Sequence, residues 1–230
     1  MDNRYYFTEL KDSLVSITGG EAQHLSKVRR AKVGDEIVAF NGDGYDYHLK
    51  ITEITKDKVQ AEVVEKTTNK ATNDTNITVY LSMIKNDALT TAIDNLAELN
   101  VKHVKLFKSD FSVAVIDEKK LDKLNQIAIQ ASKQCERADV MKISIINKKE
   151  IEEDSKKLTT FFAYEDSNNK IESFAGDFAV IIGPEGGFSE NENKYFSSFA
   201  NNISLSKTIL RAEVACVASV SMLKAVQNAC

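Results

Sequence analysis

The sequence predicts an α/β protein in two parts: a small β-rich piece, then a larger domain on a largely parallel sheet. Three observations carry this. Short alternating apolar runs separated by glycine turns fill residues 1–70. From Ile77 onward, strand-like runs alternate with helical patterns, as they do when crossover helices join parallel strands. Finally, five apolar residues, Phe178–Ile182, run directly into Gly183-Pro184-Glu185-Gly186-Gly187. That pattern reads as a buried strand ending in a tight turn.

In the first part the strand-like runs are Ser13–Ile17, Glu36–Phe40, Tyr45–Thr55 and Lys58–Val64. Gly19-Gly20, Gly34-Asp35 and Asn41-Gly42-Asp43-Gly44 separate them, and Asn-Gly between strands marks a hairpin. A helical stretch, Glu21–Arg30, places His24, Leu25 and Val28 on one side. Several short strands in so few residues predict a small barrel. Residues 66–76 are rich in Thr and Asn and nearly devoid of apolar groups. This linker composition puts the boundary between a domain at 1–70 and one at 71–230.

The second part opens on a β-run, Ile77–Ile84. Asn86 and Asp87 then cap a helix whose Leu89, Ala92, Ile93, Leu96 and Ala97 fall on one face. Val101–Phe107 is a strand, and Asp117–Arg137 a long helix with Leu121, Leu124, Ala128, Ala131 and Cys135 aligned. A strand at Ile143–Ile146, a charged helix at Lys149–Lys157 and a strand at Thr159–Glu165 follow. After the Phe178–Ile182 strand, Ser189 with Glu192 forms a capping box. A strand at Asn202–Leu205 and a helix from Arg211 to Ala229, rich in Ala, Val and Ser, close the chain.

Ligands in parallel sheets bind at the carboxyl ends of the strands. Three loops lie at such ends: Tyr164-Glu165, Gly183–Gly187 and Leu205–Arg211. Composition narrows the alternatives. A formal net charge of −4 gives no global field for nucleic acid, so RNA contact requires a local patch. The densest basic cluster, with Lys27, Arg29, Arg30 and Lys32 just after His24, is such a patch or else a solvated helix end. Three widely spaced cysteines without a C-x-x-C argue against a disulfide framework or zinc site and fit a reducing cytoplasm. The first residues lack the apolar core of a signal peptide, and no apolar run is long enough to cross a bilayer.

Gly183-Pro-Glu-Gly-Gly, followed by Leu205-x-x-x-Ile209-Leu210-Arg211-x-Glu213-x-Ala215, resembles the small-subunit ribosomal RNA methyltransferase E family of the SPOUT class. Residues 20–29, including His24 and Arg29, resemble that family's PUA-like RNA-binding barrel. The resemblance implies a C-terminal deep trefoil knot, bound S-adenosylmethionine and methylation of uridine N3 in 16S rRNA of the 30S subunit. It also implies a homodimer formed through the knotted domain, with no metal and no membrane.

It further implies a cofactor site built from Tyr164, Glu165, Ile182, Gly183, Pro184, Glu185, Gly186, Gly187, Leu205, Ser206, Thr208, Ile209, Leu210 and Ala215. The glycines would keep space for the ligand. Arg211 and Glu213 are the implied catalytic pair, the first stabilising a uracil anion and the second taking its proton or orienting the arginine. The alternative for these two is a structural ion pair at a helix start. RNA contacts are implied for His24, Lys27, Arg29, Arg30, Lys32 and Arg137. The chain departs from the family at several positions, among them Ala88, Asn95, Asp110, Lys133, Ser206 and Thr208. These departures keep open another RNA target, such as ribose 2′-O, or a silent RNA-binding assembly factor.

Overall fold

The computed structural model describes residues 4–72, 75–165, 167, 169, 171 and 173–227. The chain forms two compact units. One comprises Met1–Thr72 with Ser132–Val140, the other Asn73–Ala131 with Met141–Cys230.

The first unit holds a six-stranded sheet: β1 (Arg4–Tyr6), β2 (Glu9–Lys11), β3 (Leu14–Thr18), β4 (Glu36–Phe40), β5 (Tyr45–Ile54) and β6 (Lys58–Thr68). Their order is β1-β4-β5-β6-β3-β2. β1 runs parallel to β4, and the other pairs are antiparallel. Two register shifts between β5 and β6 bend the pair, since bulges increase local twist. Period-two alternation buries Val15 and Ile17, then Tyr47, Leu49 and Ile51, then Val59 and Ala61, in one core with Tyr5 and Phe7.

Three features here differ from the sequence reading. The polar stretch at 66–68 is the end of β6, paired with Tyr45–Tyr47, because β-branched threonines suit a strand with a partner alongside. The helical stretch is α1 (Gly19–Gln23) continued by a π-helical turn over His24–Val28. That wider winding buries Ala22 and Leu25 but turns Val28 outward, 70% exposed. Lastly, Ser132–Val140 joins this unit. The Gly44 N–H donates to the Ala138 carbonyl, the Asn69 side chain to the Glu136 carbonyl, and Lys133 Nζ to Glu21 at 2.7 Å.

The second unit is built on β7 (Ile77–Ser82), β8 (His103–Phe107), β9 (Lys142–Ile146), β10 (Thr159–Ala163), β11 (Phe178–Ile182) and β12 (Asn201–Ile203). All pairs are parallel, in the order β12-β10-β11-β7-β8-β9. Every residue of the central strands β7 and β11 is buried, as expected where helices cover both faces. The helices are α2 (Asn86–Glu98), α3 (Glu118–Gln134), α4 (Lys148–Ser155), α5 (Glu190–Ser197) and α6 (Ala212–Gln227).

The five apolar positions anticipated on α2 are all fully buried. Its N-cap, however, is Lys85, which makes no side-chain cap bond. The capping box at Ser189 and Glu192 forms as the sequence indicates. An aromatic cluster of Phe107, Phe162, Phe188 and Phe196 lies beneath the loops that follow β10 and β11. Among the described residues, no helix is long and apolar enough to cross a membrane, and no group of three or more His, Cys, Asp or Glu is placed to hold a metal ion.

Candidate active site

β12, β10 and β11 are adjacent and parallel, so their carboxyl ends lie side by side. The three loops leaving those ends line one cleft of about 310 Å³. Each loop is shaped by local bonds. The Tyr164 N–H donates to the Ile203 carbonyl at 2.9 Å, tying the end of β10 to that of β12. The Gly187 N–H donates to the Pro184 carbonyl at 2.9 Å and closes a turn. In the loop after β12 the Thr208 N–H donates to Ser206 Oγ, and the two hydroxyls lie 2.9 Å apart. Ser206 and Thr208, two of the departures from the family pattern, thus form a hydroxyl-closed turn at the cleft wall.

Of the fourteen residues assigned to the cofactor, twelve line the cleft: Tyr164, Glu165, Ile182, Gly183, Pro184, Gly186, Gly187, Leu205, Ser206, Thr208, Leu210 and Ala215. Two do not. Glu185 turns away, and its carboxylate accepts the Lys85 N–H at 3.1 Å, an acidic group drawn to the start of α2. Ile209 points outward and is 83% exposed. Ala163, Phe188, Asn193 and Ala212 complete the lining. Ala163 and Ala212 flank assigned residues and were within reach of the sequence reading. Asn193 lies four residues beyond the Ser189 cap, and nothing in its local sequence marks it.

The three glycines sit in different surroundings. A Cβ on Gly183 would sit 2.9 Å from the Phe188 ring, so the glycine makes room for the aromatic cluster rather than for a ligand. A Cβ on Gly186 would lie 3.4 Å from Phe111 Cβ. Gly187 adopts φ +71°, a conformation that L side chains rarely take.

Arg211 sits between two cleft residues, Leu210 and Ala212, and is exposed. Glu213 follows in the first turn of α6 and is half-buried. No ion pair joins them among the described residues, so Arg211 projects uncommitted at the edge of the cleft. Cys216, one turn further on, is buried, and burial with the nearby Glu213 charge pushes its thiol up to about 12. It is therefore a packing residue at neutral pH.

The basic cluster lies in the other unit. Lys27, Arg30 and Lys32 are exposed, and Arg30 ends the helical segment in the left-handed region at φ +54°. His24 is half-buried beside the Tyr5 ring. Its Nδ1 and the Arg29 Nη1 are buried without a hydrogen-bond partner among the described residues. Arg137 does not belong to this surface. It is 1% exposed and grips Asp139 with two bonds, at 3.0 and 2.7 Å. Its expected RNA contact is therefore corrected: the guanidinium is a buried structural partner, since a buried arginine needs its charge compensated internally.

A family model described as an RNA methyltransferase domain matches residues 71–224. A second, described as an RNA methyltransferase PUA domain, matches residues 17–64. Ribosomal RNA small subunit methyltransferase E of Helicobacter pylori is 31% identical over 223 residues, covering 92% of this chain and 95% of its own. The chain belongs to the ribosomal RNA small subunit methyltransferase E family. The family's member from Rickettsia conorii is 27% identical over 244 residues, covering 99% of this chain and 97% of that one. A crystal structure of ribosomal RNA small subunit methyltransferase E from Neisseria gonorrhoeae, bound to S-adenosyl methionine, shares the fold. Its TM-score is 0.81 at 24% identity, with 97% of each chain covered. The three-loop cleft falls within the methyltransferase match, and the basic cluster within the PUA match.

Proposed function

We propose that this protein transfers a methyl group from S-adenosylmethionine to N3 of a uridine in 16S rRNA of the small ribosomal subunit. The convergence of three adjacent strand-end loops on one cleft, with an uncommitted arginine at its rim, carries the reading. The cleft's chemistry suits the cofactor. Ile182, Leu205 and Leu210 offer apolar walls beside strand-end backbone groups, and Glu165 offers a carboxylate to hydroxyl or ammonium groups. When bound, S-adenosylmethionine supplies an electrophilic methyl group on a positively charged sulfur.

The work left to the chain is to present a nucleophile. A uridine N3–H lies on the Watson–Crick edge, so the base must be unpaired to react. N3 attacks only after losing its proton. Arg211 holds the resulting negative charge, and Glu213 takes the proton or orients the arginine. His24 and Arg29, both half-buried, join the exposed Lys27, Arg30 and Lys32 in a patch for RNA phosphates and bases.

The finer architecture belongs to the same proposal. Residues 1–70 form a PUA-like barrel, to which Ser132–Val140 adds, and the rest of 71–230 forms the methyltransferase domain. A trefoil knot is supported by the path of the chain. β12 lies at the sheet edge, yet α6 packs against α2 and the interior strand β11. A homodimer through this region is supported by α6, whose Val214 remains exposed. The cytoplasm is the compartment where such RNA is found.

The test is methyl transfer to small subunits lacking the modification, with nucleoside mass spectrometry of the product. 3-Methyluridine is expected, and a 2′-O-methyl product overturns the proposal. Arg211→Ala should lower turnover by roughly 10²–10³-fold while leaving cofactor affinity nearly unchanged. A collapse of cofactor affinity instead makes Arg211 part of the cofactor pocket.

A further inference from the structure

Beside the cleft sits an exposed aromatic side chain on an unusually well-anchored loop. Phe111 is 51% exposed. Its Cβ and Cγ lie next to Gly186, itself part of the cleft wall. The residues on either side are fixed. The Asp110 N–H donates to the buried Glu192 carboxylate at 3.0 Å. The Asp110 carboxylate accepts from Lys148 at 3.0 Å and from the Ser189 hydroxyl at 2.6 Å. On the other side, the Ser109 and Ser112 hydroxyls bond to each other and to Ser82 Oγ, at 2.6–2.9 Å. The Ser112 N–H closes the turn onto the Ser109 carbonyl. A phenyl ring left half in water forgoes much of its burial energy, yet the backbone beneath it is tied to three secondary-structure elements. That is the construction of a preorganised contact surface: little entropy remains to be lost when a ligand covers the ring.

Resting on the reading of the protein as an RNA methyltransferase, we propose that Phe111 is the platform on which the unpaired target base stacks. An unpaired base has lost its neighbours on at least one face, and an aromatic side chain replaces them. The base of the Phe111 side chain adjoins Gly186 of the cleft wall, so a base stacked on the ring lies close to the cleft. Phe111 is thus a positioning residue for the base, distinct from the groups that handle its proton.

The test pairs a side-chain change with a base change. Binding is measured for a short single-stranded RNA carrying one uridine and for the same RNA with that uridine made abasic. Phe111→Leu should weaken the intact RNA by roughly tenfold, since stacking on one aromatic is of that order, and leave the abasic RNA unchanged. Phe111→Trp should restore the loss, and cofactor affinity should stay within about twofold for both variants. The proposal falls if both RNAs weaken alike, if wild type binds them equally, or if Phe111→Leu has no effect. It also falls if Phe111→Leu instead changes the oligomeric state in sedimentation, which would make the ring a contact between copies. Wild-type methyl transfer is measured alongside. Its absence would sink the methyltransferase reading, while the binding cycle would still decide the role of Phe111.

Discussion

Gly183 illustrates how a residue can be recognised for one reason and required for another. The sequence marks it as an opening for a ligand, but its neighbour is Phe188. That ring stacks parallel to Phe107 and packs against Phe162 and Phe196. A methyl group at Gly183 would meet the ring edge at 2.9 Å, and the packed cluster leaves the ring little space to retreat. Gly183→Ala is therefore expected to destabilise the protein by about 1–3 kcal/mol, read from urea unfolding. Adding Phe188→Leu should recover part of the loss, because the smaller side chain vacates the contested space. An unchanged midpoint in Gly183→Ala would return the glycine to a purely ligand-facing role.

At the scale of the element, α5 carries the site through its cap. Ser189 accepts the Glu192 N–H, and Glu192 accepts the Ser189 N–H in return. Beneath this box lies Lys148, bonded to Glu192 at 2.7 Å and to Asp110 at 3.0 Å. Burial works to lower the Lys148 pKa, but its bonds to Glu192 and Asp110 win and hold it above its ordinary 10.5. The Ser189 hydroxyl, then Lys148, hold Asp110 below its ordinary 3.8. The lysine's contribution is thus complete below pH 10.5 and lost as pH rises through its raised value. The aspartate's contribution is present above 3.8 and lost as pH falls through its lowered value. Lys148→Met should cost about 1–3 kcal/mol, the penalty for removing one partner of a buried carboxylate that keeps its two backbone donors. Melting temperature against pH is the measurement. The variant should lose the network's share of the decline above pH 10.5, and an alkaline limb that keeps its wild-type slope would show that Lys148 stabilises nothing.

For the whole molecule, a net charge of −4 must be reconciled with an RNA substrate. The exposed Lys27, Arg30 and Lys32 offer a local positive surface within an acidic chain. Each phosphate contact to single-stranded RNA contributes roughly 0.7 to the slope of log affinity against log salt. Lys27→Ala and Lys32→Ala should each flatten that slope by about this amount. Arg137→Met should leave it unchanged while lowering thermal stability, because its charge is spent on Asp139 in the interior. If the lysine variants keep the full slope, the basic cluster is only a solvated helix end.

Much of this protein is determined by short-range pattern. Alternation identified β4 at Glu36–Phe40, and an unbroken apolar run identified β11 at Phe178–Ile182. The spacing of Leu89 through Ala97 identified the buried face of α2. The motifs around Gly183 and Arg211 located most of the cleft because the parallel order of β12, β10 and β11 brings their loops together. What the sequence left open depends on partners distant along the chain. β1 and β2 are three residues each and acquire strand geometry only from their neighbours β4 and β3. Glu185 looked like a cleft residue until the start of α2 supplied a backbone donor for it. Arg137 looked like an exposed cation until Asp139 and its burial became visible. Local periodicity records which face of an element is apolar, and so fixes the elements. Which charge meets which donor is settled only when elements far apart in sequence pack together, and that tertiary decision separates the arginine left uncommitted at the cleft from the one locked in the interior.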